Sequence, residues 1–255
     1  MLSIIIINFR MLEKVIRCIK SIFKTQDMSG MEIIVVNKSS GDNAGMVIKK
    51  IFQFVKIIEC RKFGVAYMRN IGIKRARGDY LLLLDADTIL LEDLRPAIDF
   101  IKKNPDCAAL GVKLISPDGE LQFSCRTFYD LKTIIFRRTP LKGIFPNSAI
   151  IKRHLMMDFD HQSSIAVDWI QGAFFLINRK ALKEIGLFDE FSPFGFEDTA
   201  WCYRAYKKNW KIYYYPYITV IHEFQRSSAS FFSRQAFYHF LAFLKFYLRY
   251  RLLGQ

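Results

Sequence analysis

YLLLLDADTILL, residues 80–91, sets five apolar residues before two aspartates separated by one alanine, and then returns to apolar residues. On extended chain, positions i and i+2 point to the same side, so Asp85 and Asp87 would present both carboxylates together. Two carboxylates held side by side repel unless something positive lies between them. A hard divalent cation, bound through one or two carboxylates and completed by substrate phosphate oxygens and water, resolves that repulsion. The same residues also suit a turn, or a cap for the helix expected from about Glu92. A lone Asp-x-Asp does not decide between these uses. Its place directly after a buried strand favours the cation.

The strand assignment rests on what precedes it. LSIIIINF (2–9), EIIVVN (32–37), VKIIEC (55–60) and YLLLLD (80–85) are apolar runs of strand length, continuous rather than alternating, as in strands covered on both faces. Between them, Val15, Ile16, Ile19 and Ile22, then Val47, Ile48, Ile51 and Phe52, then Ala66, Ile71 and Ile73 recur at helical spacing. Strand and helix in alternation predict an α/β fold with a mostly parallel, doubly wound sheet. Ligands of such sheets bind beyond the carboxyl ends of the strands, where Asp85 and Asp87 fall.

Composition narrows the class. With 51% hydrophobic and 24% charged residues over 255 positions, the chain can bury a core and is not disordered. No apolar run of about 18 residues without a charge and no leader-like N-terminus are present, so neither a spanning helix nor a signal peptide is expected. The five cysteines (Cys18, Cys60, Cys107, Cys125, Cys202) form no CxxC pair. They suit a reduced, cytoplasmic protein without a cysteine zinc site. A net charge of +14 attracts phosphates, nucleic acid or anionic lipid without choosing among them.

Several stretches taken together resemble glycosyltransferase family 2, nucleotide-sugar enzymes of the GT-A fold, in the manner of rhamnosyltransferase-like enzymes of bacterial surface polysaccharides. LSIIIINF looks like the family's opening strand, ending on Asn8, and EIIVVNKSS resembles its second strand and nucleotide loop. FGVAYMRNIGIKRARGDYLLLLDAD resembles its Arg-Asn-x-Gly and Asp-x-Asp stretch. VDWIQGAFFLINRKALKEIGLFDEFSPFGFEDTAWCYRAYKKNW is similar to the block that carries the acceptor wall and the catalytic carboxylate. The resemblance covers residues 1–222, divided into a nucleotide-sugar half (1–115) and an acceptor and catalytic half (116–222). Residues 223–255 form a basic, aromatic extension.

That resemblance implies an inverting enzyme using Mn2+ or Mg2+ and a nucleoside-diphosphate sugar, with UDP or dTDP as the expected carrier. Asp87, with Asp85 nearer the ribose, would hold the metal. His222, after the strand-like YPYITVI, stands where many relatives have a histidine near the metal or diphosphate. Asn8, Asn37 and Arg69 would contact the donor, Arg69 over the diphosphate. Trp169 and Gly172 would shape the acceptor site, and Glu197 and Asp198 would supply the base, with Asp198 at the usual position. The local alternative for Glu197 and Asp198 is a helix start, where acids suit the dipole. Trp201 and Trp210 are assigned to packing.

Two positions depart from the pattern. Where relatives commonly carry Asp to read the nucleotide base, this chain has Asn37, followed by an unusual Lys38. An uncharged amide accepts a weaker hydrogen bond than a carboxylate, which opens the alternative of a degenerate nucleotide-binding scaffold.

VKLISPDGELQFSCRTF (112–128) reads as a hairpin broken at Pro-Asp-Gly, whereas Tyr129–Ala166 reads as a basic, irregular segment suited to a lid or acceptor surface. SFFSRQAFYHFLAFLKFYLRYRLL places Arg234, Lys245 and Arg249 on one side of a helical wheel, leaving a wide apolar remainder. Such a helix can pack on the domain, dimerise, or lie on the inner face of a membrane against lipid phosphates, as suits a lipid-linked acceptor. No zinc-finger spacing, RNP-like aromatic motif or basic recognition helix is found, so no specific nucleic acid is expected. A nucleotidyltransferase would ordinarily show a Gly-rich phosphate loop near residues 8–14, and none is present.

Overall fold

The computed structural model describes residues 1–138, 148–223 and 234–252. The four apolar runs form β1 (Leu2–Asn8), β2 (Met31–Lys38), β3 (Lys56–Cys60) and β4 (Tyr80–Asp85), joined by α1 (Leu12–Thr25), α2 (Ala44–Ile51) and α3 (Val65–Arg75). β1 pairs in parallel with β2 and β4, and β2 with β3. Every residue of β1 is buried, because successive side chains feed two cores. Ile4 and Ile6 pack with Val15 and Ile19 of α1, whereas Ile5 packs with Ala66 and Ile73 of α3.

The chain continues as β5 (Thr88–Leu90), α4 (Arg95–Lys103), β6 (Cys107–Ile115), β7 (Leu121–Gln122), β8 (Cys125–Arg126), α5 (Leu131–Arg138) and α6 (Ala149–Leu155). After these come β9 (Ile165–Val167), β10 (Trp169–Ile170), β11 (Phe174–Asn178), α7 (Arg179–Ile185), α8 (Glu197–Lys207) and β12 (Lys211–His222). The last described element, α9 (Arg234–Phe246), runs into a π-helical turn, Tyr247–Leu252. The main sheet runs β3-β2-β1-β4-β11-β6-β12-β5. It is the expected mostly parallel GT-A sheet with one central strand reversed, since β11 pairs antiparallel with both β4 and β6.

That reversal brings residues 171–173 to the carboxyl end of β4, where the Asp85 N–H donates to the Ala173 carbonyl at 3.0 Å. β5 folds back after the aspartates and pairs with the end of β12, matching Thr88 to His222. Pro216 interrupts β12 where its register against β6 shifts between Tyr215 and Thr219, as a residue without an N–H requires.

Two expectations are corrected and one holds. Residues 129–166 are not irregular throughout: α5, α6 and β9 lie there. Ser148 caps α6 by accepting from the Ile151 N–H, a local signal too short to register as periodicity. Residues 139–147, with most of the basic RRTPLKG stretch, lie outside the described residues. The helix expected from Glu92 begins at Arg95, where Pro96 in the first turn presets the backbone. The hairpin of 112–128 does form, as β6 and β7 closed by a turn with Gly119 at φ +88°.

The C-terminal helix packs on the domain through one face. Phe243 and Phe246 lie 5.6 and 5.9 Å from the ring of Phe196, beside α8. Its Lys245 donates to the Phe191 carbonyl and its Arg249 to Asp189. Phe237, Phe240, Leu244 and Leu248 face outward and are exposed. The side chain of Arg234 lies outside the described residues.

α3 sits so close to β1 that a Cβ at Gly72 would lie 2.4 Å from Ile5 Cγ2. Gly72→Ala should therefore destabilise the fold by about 1–3 kcal/mol through overpacking, read as a lowered denaturant midpoint at unchanged slope.

Candidate active site at the carboxyl edge of the sheet

Three chain segments converge beyond β4. Ligand atoms of Asp85, Asp87 and His222 all lie within 4.8 Å of one another. Asp85 arrives on β4, Asp87 on the turn into β5, and His222 at the end of β12. The Glu223 N–H donating to the Asp87 carbonyl at 2.8 Å ties the last two together. His222 is buried, and its Nδ1 lies 2.7 Å from Gln122 Oε1 while Gln122 Nε2 donates to the His222 carbonyl. That pair of contacts orients the ring and sets Nε2 toward Asp87 Oδ1, 3.6 Å away. Burial first, and the nearby Asp85 charge second, raise the Asp87 carboxyl above its ordinary range. Two carboxylates and an imidazole nitrogen brought together form a donor set that could hold a divalent cation. Lys14 Nζ, 3.7 Å from Asp87, and Glu223, held by Arg17 at 2.6 Å, frame the set.

Behind it lies a buried cation. Arg69, 3% exposed on α3, donates through Nη2 to Asp85 Oδ1 and the Gly172 carbonyl, each at 2.8 Å, and through Nη1 to Glu197 Oε1 at 3.3 Å. Arg69, expected over a diphosphate, directs these donors to two protein carboxylates and a backbone carbonyl. Burial would lower its pKa, but Asp85 and Glu197 hold it raised. Gly172 is required on steric grounds, since a Cβ there would lie 2.5 Å from Arg69 Nη1. Neighbouring Asn70 bridges to the Phe188 carbonyl and Glu190, so the Arg-Asn pair ties α3 to the second half of the chain.

Glu197 and Asp198 open α8, and the helix-start reading and the cleft reading hold together. Asp198 Oδ1 accepts from the Thr199 N–H at 2.7 Å and Oδ2 from the Gly172 N–H at 3.3 Å. Burial raises the Asp198 carboxyl. Burial, then Asp198, raises Glu197 to about 7, with Arg69 opposing. One guanidinium thus faces several carboxylates, an excess of negative charge that a bound cation balances.

Asn8 and Asn37 are buried at the ends of β1 and β2 and bond to each other at 2.7 Å. Trp169 does not offer a ring face to a sugar: it is 3% exposed, donates to the Thr127 carbonyl, and carries Arg126 over its ring at 4.9 Å. Trp201 is core, stacked on Phe188, and Trp210 bonds Glu184. All five cysteines are free and buried. The sequence gives no motif for Lys14, Glu59, Gln122 and Arg126; Lys14 lies in the first turn of α1 and the other three near strand ends.

The sequence matches the family description Glycosyl transferase family 2 over residues 3–186. The chain belongs to glycosyl transferase family 2. It is 29% identical over 191 residues to poly-beta-1,6-N-acetyl-D-glucosamine synthase of Staphylococcus aureus (strain COL), and 28% identical over the same length to that of Staphylococcus epidermidis. These matches take in 72% of this chain but 41% of the relatives' length. Among solved structures, GalNAc-T7 with UDP, GalNAc and Mn2+ superposes with a TM-score of 0.68 at 18% identity, over 89% of this chain and 43% of that one. S. aureus TarS 1-349 in complex with UDP gives 0.58 at 18%, over 86% and 60%. The mannosyltransferase PcManGT from Pyrobaculum calidifontis, with GDP-Man and Mn2+, gives 0.59 at 12%, over 89% and 57%. All three share the GT-A fold.

The raised Glu197 carboxyl has a sign-defined consequence. Between its ordinary 4.5 and about 7, the folded protein retains a proton that the unfolded chain has released, so stability falls as pH rises through that window. The melting temperature of metal-free protein should decline from pH 5 to 7.5, and Glu197→Gln should flatten that decline.

Proposed function

We propose that the protein is an inverting glycosyltransferase that moves a sugar from a nucleoside diphosphate, UDP or dTDP, to a glycan or lipid-linked acceptor in bacterial surface-polysaccharide assembly. The observation that carries this reading is the convergence of Asp85, Asp87 and His222 with Glu197 and Asp198 around one buried arginine. The activity of the similar synthases, and the nucleotides and Mn2+ in the superposed structures, support it. Asp85, Asp87 and His222 would hold Mn2+ or Mg2+, which would supply positive charge against the donor diphosphate.

The chain's own residues perform the remaining work. Asp198, placed by two backbone N–H groups, accepts the proton of the attacking acceptor hydroxyl, and Glu197 beside it discourages spreading of its charge. Arg69 keeps Asp85 and Glu197 at fixed separation. Attack on the anomeric carbon opposite the departing diphosphate is a single displacement and inverts configuration. Residues 1–115 bind the donor and 116–222 the acceptor. Trp169 supports the acceptor wall from beneath by carrying Arg126, while Gly172 lets the backbone approach.

The outward stripe of Phe237, Phe240, Leu244 and Leu248 on α9 is proposed to rest on an anionic membrane surface, attracted by the net charge of +14. No helix among the described residues is long and apolar enough to cross a membrane. Because Phe243 and Phe246 of the same helix pack on Phe196, next to Glu197, this contact would set the base close to a lipid-linked acceptor.

Asp198→Asn should lower sugar transfer by at least the 10²–10⁴-fold that general-base catalysis typically contributes, while Mn2+-dependent nucleotide binding by calorimetry stays within a few-fold. Full activity in that variant removes Asp198 as the base. Replacing Phe240 and Leu244 together by Ser should abolish sedimentation with anionic vesicles without lowering the melting temperature; unchanged sedimentation refutes the membrane contact.

A further inference from the structure

The uncharged Asn37 sits in a hydrogen-bonded row whose direction is fixed. The Met11 N–H donates to Asn8 Oδ1 at 3.1 Å, which leaves Asn8 Nδ2 to donate to Asn37 Oδ1 at 2.7 Å. Asn37 Nδ2 must then point the other way, and it donates to both Glu59 oxygens at 3.0 and 2.9 Å. Register explains the alignment: Asn8 is matched to Asn37 across β1 and β2, and Asn37 to Glu59 across β2 and β3. Three strand ends thus place three polar side chains in line, and the line terminates in a carboxylate on the exposed side chain of Glu59.

An aspartate at 37 would accept from Asn8 equally well but would set its charge against Glu59. Asn37 and Glu59 are therefore a matched pair, in which the negative charge expected on β2 stands one strand further out. The bare backbone of Gly45, in the first turn of α2, leaves room for Glu59: a Cβ there would lie 2.0 Å from its Oε1. The positive end of that helix favours a carboxylate there. Beside the row, Arg10 and Lys38 lie over the ring of Phe9, 5.3 and 6.0 Å from its centroid.

We propose that Glu59, held by Asn37, selects the nucleobase of the donor, favouring bases with a ring N–H (uracil, thymine or guanine) over cytosine and adenine. The inference rests on the donor-site reading above. A carboxylate accepts from a ring N–H, but faces a ring-nitrogen lone pair in cytosine and adenine.

Calorimetry with UDP, dTDP, GDP, CDP, ADP and inorganic pyrophosphate, each with Mn2+, tests it. The wild type should bind at least one N–H base about tenfold or more tightly than CDP and ADP, the worth of one hydrogen bond to a charged group. Glu59→Gln should shrink that ratio to within about threefold while pyrophosphate binding is unchanged. The double variant Asn37→Asp with Glu59→Gln, which returns the carboxylate to β2, should restore the preference. A ratio that survives Glu59→Gln overturns the proposal. So does a uniform loss for all nucleotides with a lowered melting temperature, which marks Glu59 as only a support for α2. Pyrophosphate binding without base preference in the wild type defeats this proposal alone, whereas no binding of any probe defeats the donor-site reading itself.

Discussion

A single buried guanidinium organises this protein. Arg69 is removed from water at a cost of several kcal/mol, which good geometry with Asp85, Glu197 and the Gly172 carbonyl must offset. The partners come from β4, α8 and the approach to β11, so the ion ties the first half of the chain to the second. Remove any partner and a charge is left uncompensated where relaxation is hardest. The glycine at 172 and the reversed direction of β11 both follow, because only a bare backbone entering the sheet from its carboxyl edge can lie against that cation.

From that anchor the division of labour among the acids becomes physical. Asp85 is shared between Arg69 and the cluster with Asp87 and His222, while Glu197 and Asp198 lie on the far side of the same ion. Carboxylates that would repel if adjacent are thus held apart, with fixed positive charge between them. The His222 ring, oriented by Gln122, completes the near side. The far side keeps carboxyls whose proton affinity burial has raised.

The aromatic end of the chain serves packing and leaves a remainder. One face of α9 joins the core through Phe243, Phe246 and Tyr250, and the opposite face leaves four large apolar side chains in water. The residues at the edges of the site show a similar economy. Trp169, buried, acts through the arginine it carries, and Asn37, buried, acts through the glutamate it holds.

By itself the sequence determined the strand and helix order of residues 2–90, the carboxyl-edge location of Asp85 and Asp87, and the helix that starts at Glu197. Those features are written in continuous apolar runs, helical spacing and local charge, all short-range properties. It also determined the family, because several weak motifs fell in one order. Only the tertiary structure decided what those residues touch. That Arg69 is held by the Gly172 carbonyl and Glu197 depends on residues 103 and 128 positions away. The burial of Trp169, the helices within 129–166, and the pairing of Asn37 with Glu59 depend likewise on neighbours distant in sequence or set by strand register. Composition and periodicity report the environment of an element along its own length, whereas side-chain partnership across strands and between halves is fixed only when the sheet closes.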